Sequence, residues 1–172
     1  MNITIINGSH RPGGNCAKFV DAAKKILESN HHAVKIFNLI DLDIKLCTGC
    51  LFCEDGKECL LCDDFSMLIE PAIKESDIII MATPTYFNMP SAAMVNYIDR
   101  TNKMCDYFLE NHKKCLFYLV GQTDVETIRE AYNCLHTFGE IMEMEEISEP
   151  IIQVARMPEE VSCNVLNILK KV

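Results

Sequence analysis

The chain has 172 residues, of which 49% are hydrophobic and 24% charged, and carries a net charge of −9 at pH 7. That length suits one sizeable core rather than two, and the composition is that of a folded chain, not a disordered one. The negative charge argues against a general nucleic-acid binder, and no apolar run approaches the roughly 20 residues needed to span a bilayer.

Strand and helix patterns alternate along the whole chain. Asn2–Asn7 is a short β-branched apolar run that ends in Gly8-Ser9. From Asn15, the apolar positions Cys16, Phe19, Val20, Ala23, Ile26 and Leu27 recur at helical spacing. Val34–Leu39 is a second strand, and Phe65, Leu68, Ile69, Ala72 and Ile73 form a helical stripe with Asp63 or Asp64 as its N-cap. Asp77–Thr83 holds an unbroken apolar run, as a strand buried on both faces would. A helix over about Ser91 to Asn102, a strand over Lys114–Gly121 and a helix from Val125 to Met142 follow. A fifth strand is expected within Met144–Ala155, interrupted near Pro150, and Pro158 opens a last helix.

Such alternation predicts one α/β domain, a three-layer sandwich with a five-stranded parallel sheet and helices on both faces. Ligands of such sheets bind beyond the carboxyl ends of the strands. Three loops there carry chemistry. Gly8-Ser9-His10-Arg11-Pro12-Gly13-Gly14-Asn15-Cys16 combines glycines, neutral donors and a cation at a helix start, which suits a phosphate, although a plain βα turn also explains it. It is neither a dinucleotide fingerprint nor a P-loop. Pro84-Thr85-Tyr86-Phe87-Asn88-Met89-Pro90 offers aromatics and an amide for a flat heteroaromatic ring. Gly121-Gln122-Thr123-Asp124 reads as a helix start capped by Asp124.

Taken together, Gly8-Ser9-x-Arg11-x-x-Gly14-Asn15 and Pro84-Thr85-Tyr86-Phe87-Asn88 resemble the flavodoxin-like NAD(P)H-dependent FMN reductase family. The resemblance implies an FMN-dependent oxidoreductase with NAD(P)H as co-substrate. It assigns the FMN phosphate to Ser9, Arg11, Gly14, Asn15 and Cys16, although the family usually has Ser or Thr where Cys16 stands. It assigns the ribityl chain and ring to Pro84, Thr85, Tyr86, Phe87, Asn88 and Met89, with Gly121 and Gln122 completing the site. It also implies a homodimer or homotetramer and a small-molecule or ferredoxin-like redox partner. No catalytic acid or base is assigned.

Five of the ten cysteines, Cys47, Cys50, Cys53, Cys59 and Cys62, fall within one loop after the second strand. With no signal peptide ahead of Ile3-Thr4-Ile5-Ile6, a cytoplasmic location is expected, where thiols stay reduced and a disulfide framework is the weakest explanation. The spacing Cys47-x2-Cys50-x2-Cys53-x5-Cys59 resembles the iron–sulfur flavoprotein branch of the family and implies a [4Fe–4S] cluster. Zinc on Cys47, Cys50, Cys59 and Cys62, a reversible Cys47/Cys50 or Cys50/Cys53 pair, and no metal at all remain open. The loop's position predicts that whatever it binds lies on the flavin side of the sheet, in its own subunit or a neighbour's. The alternatives in function are a flavodoxin-like electron carrier or redox sensor without turnover, and a zinc-stabilised, flavin-free binding domain. His31-His32 at a helix end and the isolated His112 and His136 show no metal-ligand spacing, and the acidic run from Glu140 to Glu149 suggests a solvated surface.

Overall fold

The computed structural model describes residues 1–55 and 57–154. The helix expected from Pro158, and Cys163 within it, lie outside the described residues.

Six strands run parallel, in the order β2 (Ala33–Asn38), β1 (Asn2–Asn7), β3 (Ile78–Tyr86), β5 (Lys114–Gly121), and then β6 (Glu145–Glu146) and β7 (Ile151–Val154), which both pair β5. This is the flavodoxin-like order, with its fifth strand divided at the interruption expected near Pro150. The two-residue β4 (Met89–Pro90) folds back antiparallel on the end of β3. β3 and β5 share the longest register, from Ile78↔Lys114 to Pro84↔Val120.

Alternation along the strands divides the core in two. Ile3, Ile5, Ile78, Ile80, Leu116 and Tyr118 face α1 (Asn15–Ser29), packing on Phe19, Val20, Ala23 and Leu27. Phe19 and Tyr118 stack with centroids 3.9 Å apart and planes 2° from parallel. Ile6, Ile79, Met81, Phe117 and Leu119 face the opposite way, against α2 (Glu70–Glu75), α3 (Ala92–Thr101), α4 (Cys105–Asn111) and α5 (Val125–Ile141). Fully burying one such aliphatic side chain contributes about 1.5–3 kcal/mol, so the unbroken apolar runs are what set the central strands.

The structure departs from the sequence pattern in three places. The stripe starting at Phe65 opens with a turn of π-helix, Phe65–Ile69, before α2. Pro71 follows it and has no N–H to give to an α-type bond, so the winding changes there. The phase shift buries Phe65, Ile69, Ala72 and Ile73 but leaves Leu68 46% exposed. The short α4 was not foreseen; it ends on His112 in the left-handed region, φ 43°, where glycine would be usual.

The third departure is in the acidic run, which is only partly a solvated surface. Glu146 is half-buried, accepts from Tyr132 Oη at 2.9 Å and pairs with His136 Nδ1. The Glu146 hydrogen bond, with the charges of Glu146, Glu140 and Glu149, holds the His136 imidazole above its ordinary value against a smaller opposing effect of burial. A raised folded value means that the stabilisation is complete below the unfolded value, about 6.5, and is lost as pH rises through the folded one. The denaturation midpoint is expected to fall over that window, and Glu146→Gln to reduce the fall, leaving the weaker effect of Glu140 and Glu149. An NMR titration of His136 that shows no upward displacement would refute this.

Candidate functional site

At the carboxyl ends of β1, β3 and β5 lies a cavity of about 370 Å³. It sits where the strand order reverses, since β1 is joined on one side by β2 and on the other by β3.

The first wall carries Ser9, Arg11, Gly14, Asn15 and Cys16. Ser9 is buried; its N–H donates to Asn7 Oδ1 at 3.1 Å and its Oγ accepts from the Arg11 N–H at 3.2 Å, which tightens the turn. Gly14 is the N-cap of α1 and supplies no side-chain acceptor, so the first-turn N–H groups at Asn15 and Cys16 are uncapped beside the cavity. A Cβ at Gly14 would press on Arg11 Cδ at 3.2 Å, so the arginine lies close over the helix start. Burial pushes the Cys16 thiol up to about 12, outweighing hydrogen bonds with Ser9 and its own backbone. Cys16 is a neutral wall here, not a nucleophile.

The second wall is the hairpin of β3 and β4. Pro84, Thr85, Tyr86, Phe87 and Asn88 line the cavity, and the expected Met89 does not. Met89 instead pairs with Tyr86 across the hairpin. Phe87 and Asn88 form the two-residue turn, both left-handed at φ 49° and 60°. That backbone costs a phenylalanine about 1–3 kcal/mol. Asn88 Nδ2 donates to Glu130 Oε2 at 2.8 Å, which pins the turn to α5. Phe87 is thereby fully exposed and Tyr86 half-exposed, an aromatic rim at the mouth.

Val120, Gly121, Gln122 and Thr123 complete the cavity. Asp124 caps α5, accepting from the Thr127 N–H at 2.8 Å. Only Val120 escaped the sequence reading, because it belongs to a strand pattern that signals packing alone. No carboxylate or histidine lines the cavity, so Arg11 is its one charged side chain among the described residues.

The cysteine loop lies elsewhere. Ile44 O accepts from Asn96 Nδ2 at 3.2 Å, Lys45 O from Arg100 Nη1 at 2.9 Å, and Cys53 Sγ lies 3.9 Å from Asn102 Nδ2. The loop therefore runs down α3, whose start is tied to the cavity end by Ser91 Oγ donating to Gly8 O at 2.7 Å. Ten residues of helix are about 15 Å long. No loop cysteine lines the cavity. Cys47, Cys50, Cys53, Cys59 and Cys62 are all free thiols, exposed or half-exposed. Among the described residues no three His, Cys, Asp or Glu side chains are gathered closely enough to hold a metal ion.

The cavity fits FMN on its own features: an uncapped helix start and a cation at one end, aromatic side chains at the other, and no carboxylate to repel a phosphate. For the loop, the donor chemistry fits an iron–sulfur cluster, since four unpaired thiols share one loop, but closing on it would require the sulfurs to gather.

The sequence profile of the NADPH-dependent FMN reductase family matches residues 1–157. The chain belongs to that family. An iron–sulfur flavoprotein of Archaeoglobus fulgidus is 39% identical over 100 residues, 58% of this chain and 45% of the relative. One of Methanosarcina thermophila is 26% identical over 147 residues, 83% of this chain and 76% of the relative. The chain spans about half the length of several curated relatives. A solved flavone reductase superposes with a TM-score of 0.77 at 16% identity, covering 100% of this chain and 62% of its own, and bears out the fold. FMN is the cofactor of this reductase family.

Proposed function

We propose that the protein is an FMN-dependent oxidoreductase that draws electrons from NAD(P)H and passes them to a small-molecule acceptor or a ferredoxin-like partner. The observation that carries this is the cavity at the strand-order switch, with the uncapped start of α1 and Arg11 at one end and Tyr86 and Phe87 at the other. In a chain of net charge −9 a phosphate must be held by local geometry, and the uncapped helix start beside Arg11 supports that reading. The first-turn N–H groups, Ser9 and Arg11 bind the phosphate; Pro84 to Asn88, Gly121 and Gln122 orient the ribityl chain and ring. Bound there, FMN supplies two-electron exchange with one partner and one-electron exchange with another. The protein's part is to orient the cofactor and exclude water; among the described residues no carboxylate or histidine lines the cavity.

The reading extends to the cysteine loop, as a [4Fe–4S] site formed by Cys47, Cys50, Cys53 and Cys59. It is supported by the spacing, by the free state of the thiols and by the relatives' printed descriptions. Cytoplasmic location and assembly into a homodimer or homotetramer belong to the same proposal. Exposed Tyr86 and Phe87 at the cavity, Met89 next to them on the hairpin, and Leu46, Leu51 and Leu60 on the loop, offer apolar surface for a second copy. No helix among the described residues is long and apolar enough to cross a membrane.

Flavin titration tests the phosphate end. Arg11→Ala removes a charged donor, which typically contributes about 1.5–3 kcal/mol. FMN affinity is expected to fall at least about tenfold, with riboflavin affinity unchanged because it carries no phosphate. Equal losses for both ligands, or a purified protein that takes up no FMN, would overturn the assignment. Anaerobic purification with iron and acid-labile sulfide analysis tests the loop; zinc without sulfide would favour the tetrahedral alternative.

A further inference from the structure

The end of α3 presents nitrogen donors to the cysteine loop. Arg100, 2% exposed, spans both stems of that loop. Its Nη1 donates to Lys45 O at 2.9 Å before the cysteines, and its Nη2 to Leu61 O at 3.4 Å and Asp63 Oδ1 at 3.1 Å after them. Asp63 Oδ2 also accepts the Lys45 N–H at 2.9 Å, so the two stems are closed on each other through one buried ion pair. A negative charge on the Cys59 sulfur would stabilise the same guanidinium. Two residues on, Asn102 Nδ2 approaches Cys53 Sγ. Next to it, the largely buried Lys103 pairs with Glu58, the neighbour of Cys59, at 3.0 Å and with Glu70 at 2.6 Å.

A neutral thiol is a weak acceptor and gives little reason to aim a buried guanidinium at it. A thiolate sulfur, or one bound to iron, carries negative charge and makes charge-assisted bonds roughly twice as strong as neutral ones. We propose that Arg100 and Asn102 are positioning residues of the cysteine loop: they hold Cys59 and Cys53 against α3 and stabilise added negative charge on those two sulfurs. This rests on the iron–sulfur reading of the loop. One-electron reduction of a cluster increases the charge on its sulfurs, so donors there raise its reduction potential. The stems are fixed by protein contacts alone, which leaves the segment between them as the part that gathers around the iron.

The test uses the anaerobically prepared, flavin-loaded protein with Asn102→Ala, at an exposed position that leaves the fold intact, and Arg100→Lys, which keeps the charge for Asp63 but loses the fork. In an EPR-monitored redox titration, the ratio of reduced to oxidised cluster at fixed potential is expected to fall about threefold in Asn102→Ala and about tenfold in Arg100→Lys. Tenfold corresponds to about 59 mV for one electron. The flavin potential is expected to stay where it was. Unmoved cluster potentials in both variants at full iron content would overturn the proposal. The iron-free protein gives a second readout, alkylation rates mapped by mass spectrometry. Without its donor each thiolate is less stabilised, so at fixed pH Cys53 is expected to react more slowly in Asn102→Ala and Cys59 more slowly in Arg100→Lys, with Cys47 unchanged. Identical rates at all three sites would also overturn the proposal. A wild-type protein that takes up neither iron nor sulfide removes the cluster reading, and the alkylation rates then decide the positioning role alone.

Discussion

Arg100→Met is expected to destabilise the protein by about 3–5 kcal/mol, the loss that follows when one partner of a buried ion pair is removed. Both side chains are out of solvent, Arg100 at 1% and Asp63 at 0% exposure, and the guanidinium also lies 5.0 Å from the Phe65 ring centroid. Methionine replaces the packing but leaves the Asp63 carboxylate with only the N–H groups of Lys45, Phe65 and Ser66. Adding Asp63→Asn removes the stranded charge while keeping an acceptor, so the double variant is expected to be more stable than Arg100→Met alone. Urea denaturation of the flavin-free protein measures all three.

The pH dependence carries a signature of the same pair. Burial pushes the Asp63 carboxyl up, but hydrogen bonds from Arg100 and Lys45 and the guanidinium charge outweigh it and hold it below its ordinary value. A depressed folded value means the stabilisation is complete above the unfolded value, about 3.9, and is lost as pH falls through the folded one. The gap between wild type and Arg100→Met should therefore narrow in acid. A gap that is constant with pH would mean that lost packing, not charge, is the cause.

Asp63 shows where a sequence stops being informative. Beside Asp64, it reads as a helix cap, and it does accept the N–H groups of Phe65 and Ser66. That its other oxygen meets Arg100, 37 residues on, is decided by how α3 crosses the loop, and no local pattern encodes that. The strands were legible because a parallel sheet buried on both faces needs unbroken apolar runs, and Ile78-Ile79-Ile80-Met81 supplies one. The cavity loops were legible because strand ends are where such folds bind ligands. Met89 fell outside the cavity because the turn at Phe87-Asn88 folds it back onto Tyr86, through left-handed residues that no glycine announces. The contacts between the loop and the end of α3 were illegible for another reason: a loop may follow a strand end and still run along a helix before its cysteines settle.

Gly121→Ala is expected to cost about 1–3 kcal/mol and to weaken FMN binding as well, whereas Gly139→Ala, in the same region of the core, is expected to stabilise. Gly121 ends β5 between the cavity and α5, and a Cβ there would stand 2.5 Å from Thr85 Oγ1 and 2.7 Å from Ile128 Cγ1. Neither neighbour has room to yield, since Ile128 is wholly buried and Thr85 belongs to the β3–β4 hairpin. The methyl group must therefore drive β5, the hairpin and α5 apart, and Thr85 and Gly121 both line the cavity that this displacement distorts. Gly139 lies within α5, where an added Cβ meets Phe117 Cζ at 3.5 Å, an ordinary contact. There alanine gains about 0.5–1 kcal/mol of helix preference without a clash. Thermal denaturation without flavin separates the two signs, and fluorescence titration with FMN shows whether the loss at Gly121 reaches the site. A Gly121→Ala protein with wild-type stability and FMN affinity would mean that the three elements are not packed as tightly behind the cavity as these distances require.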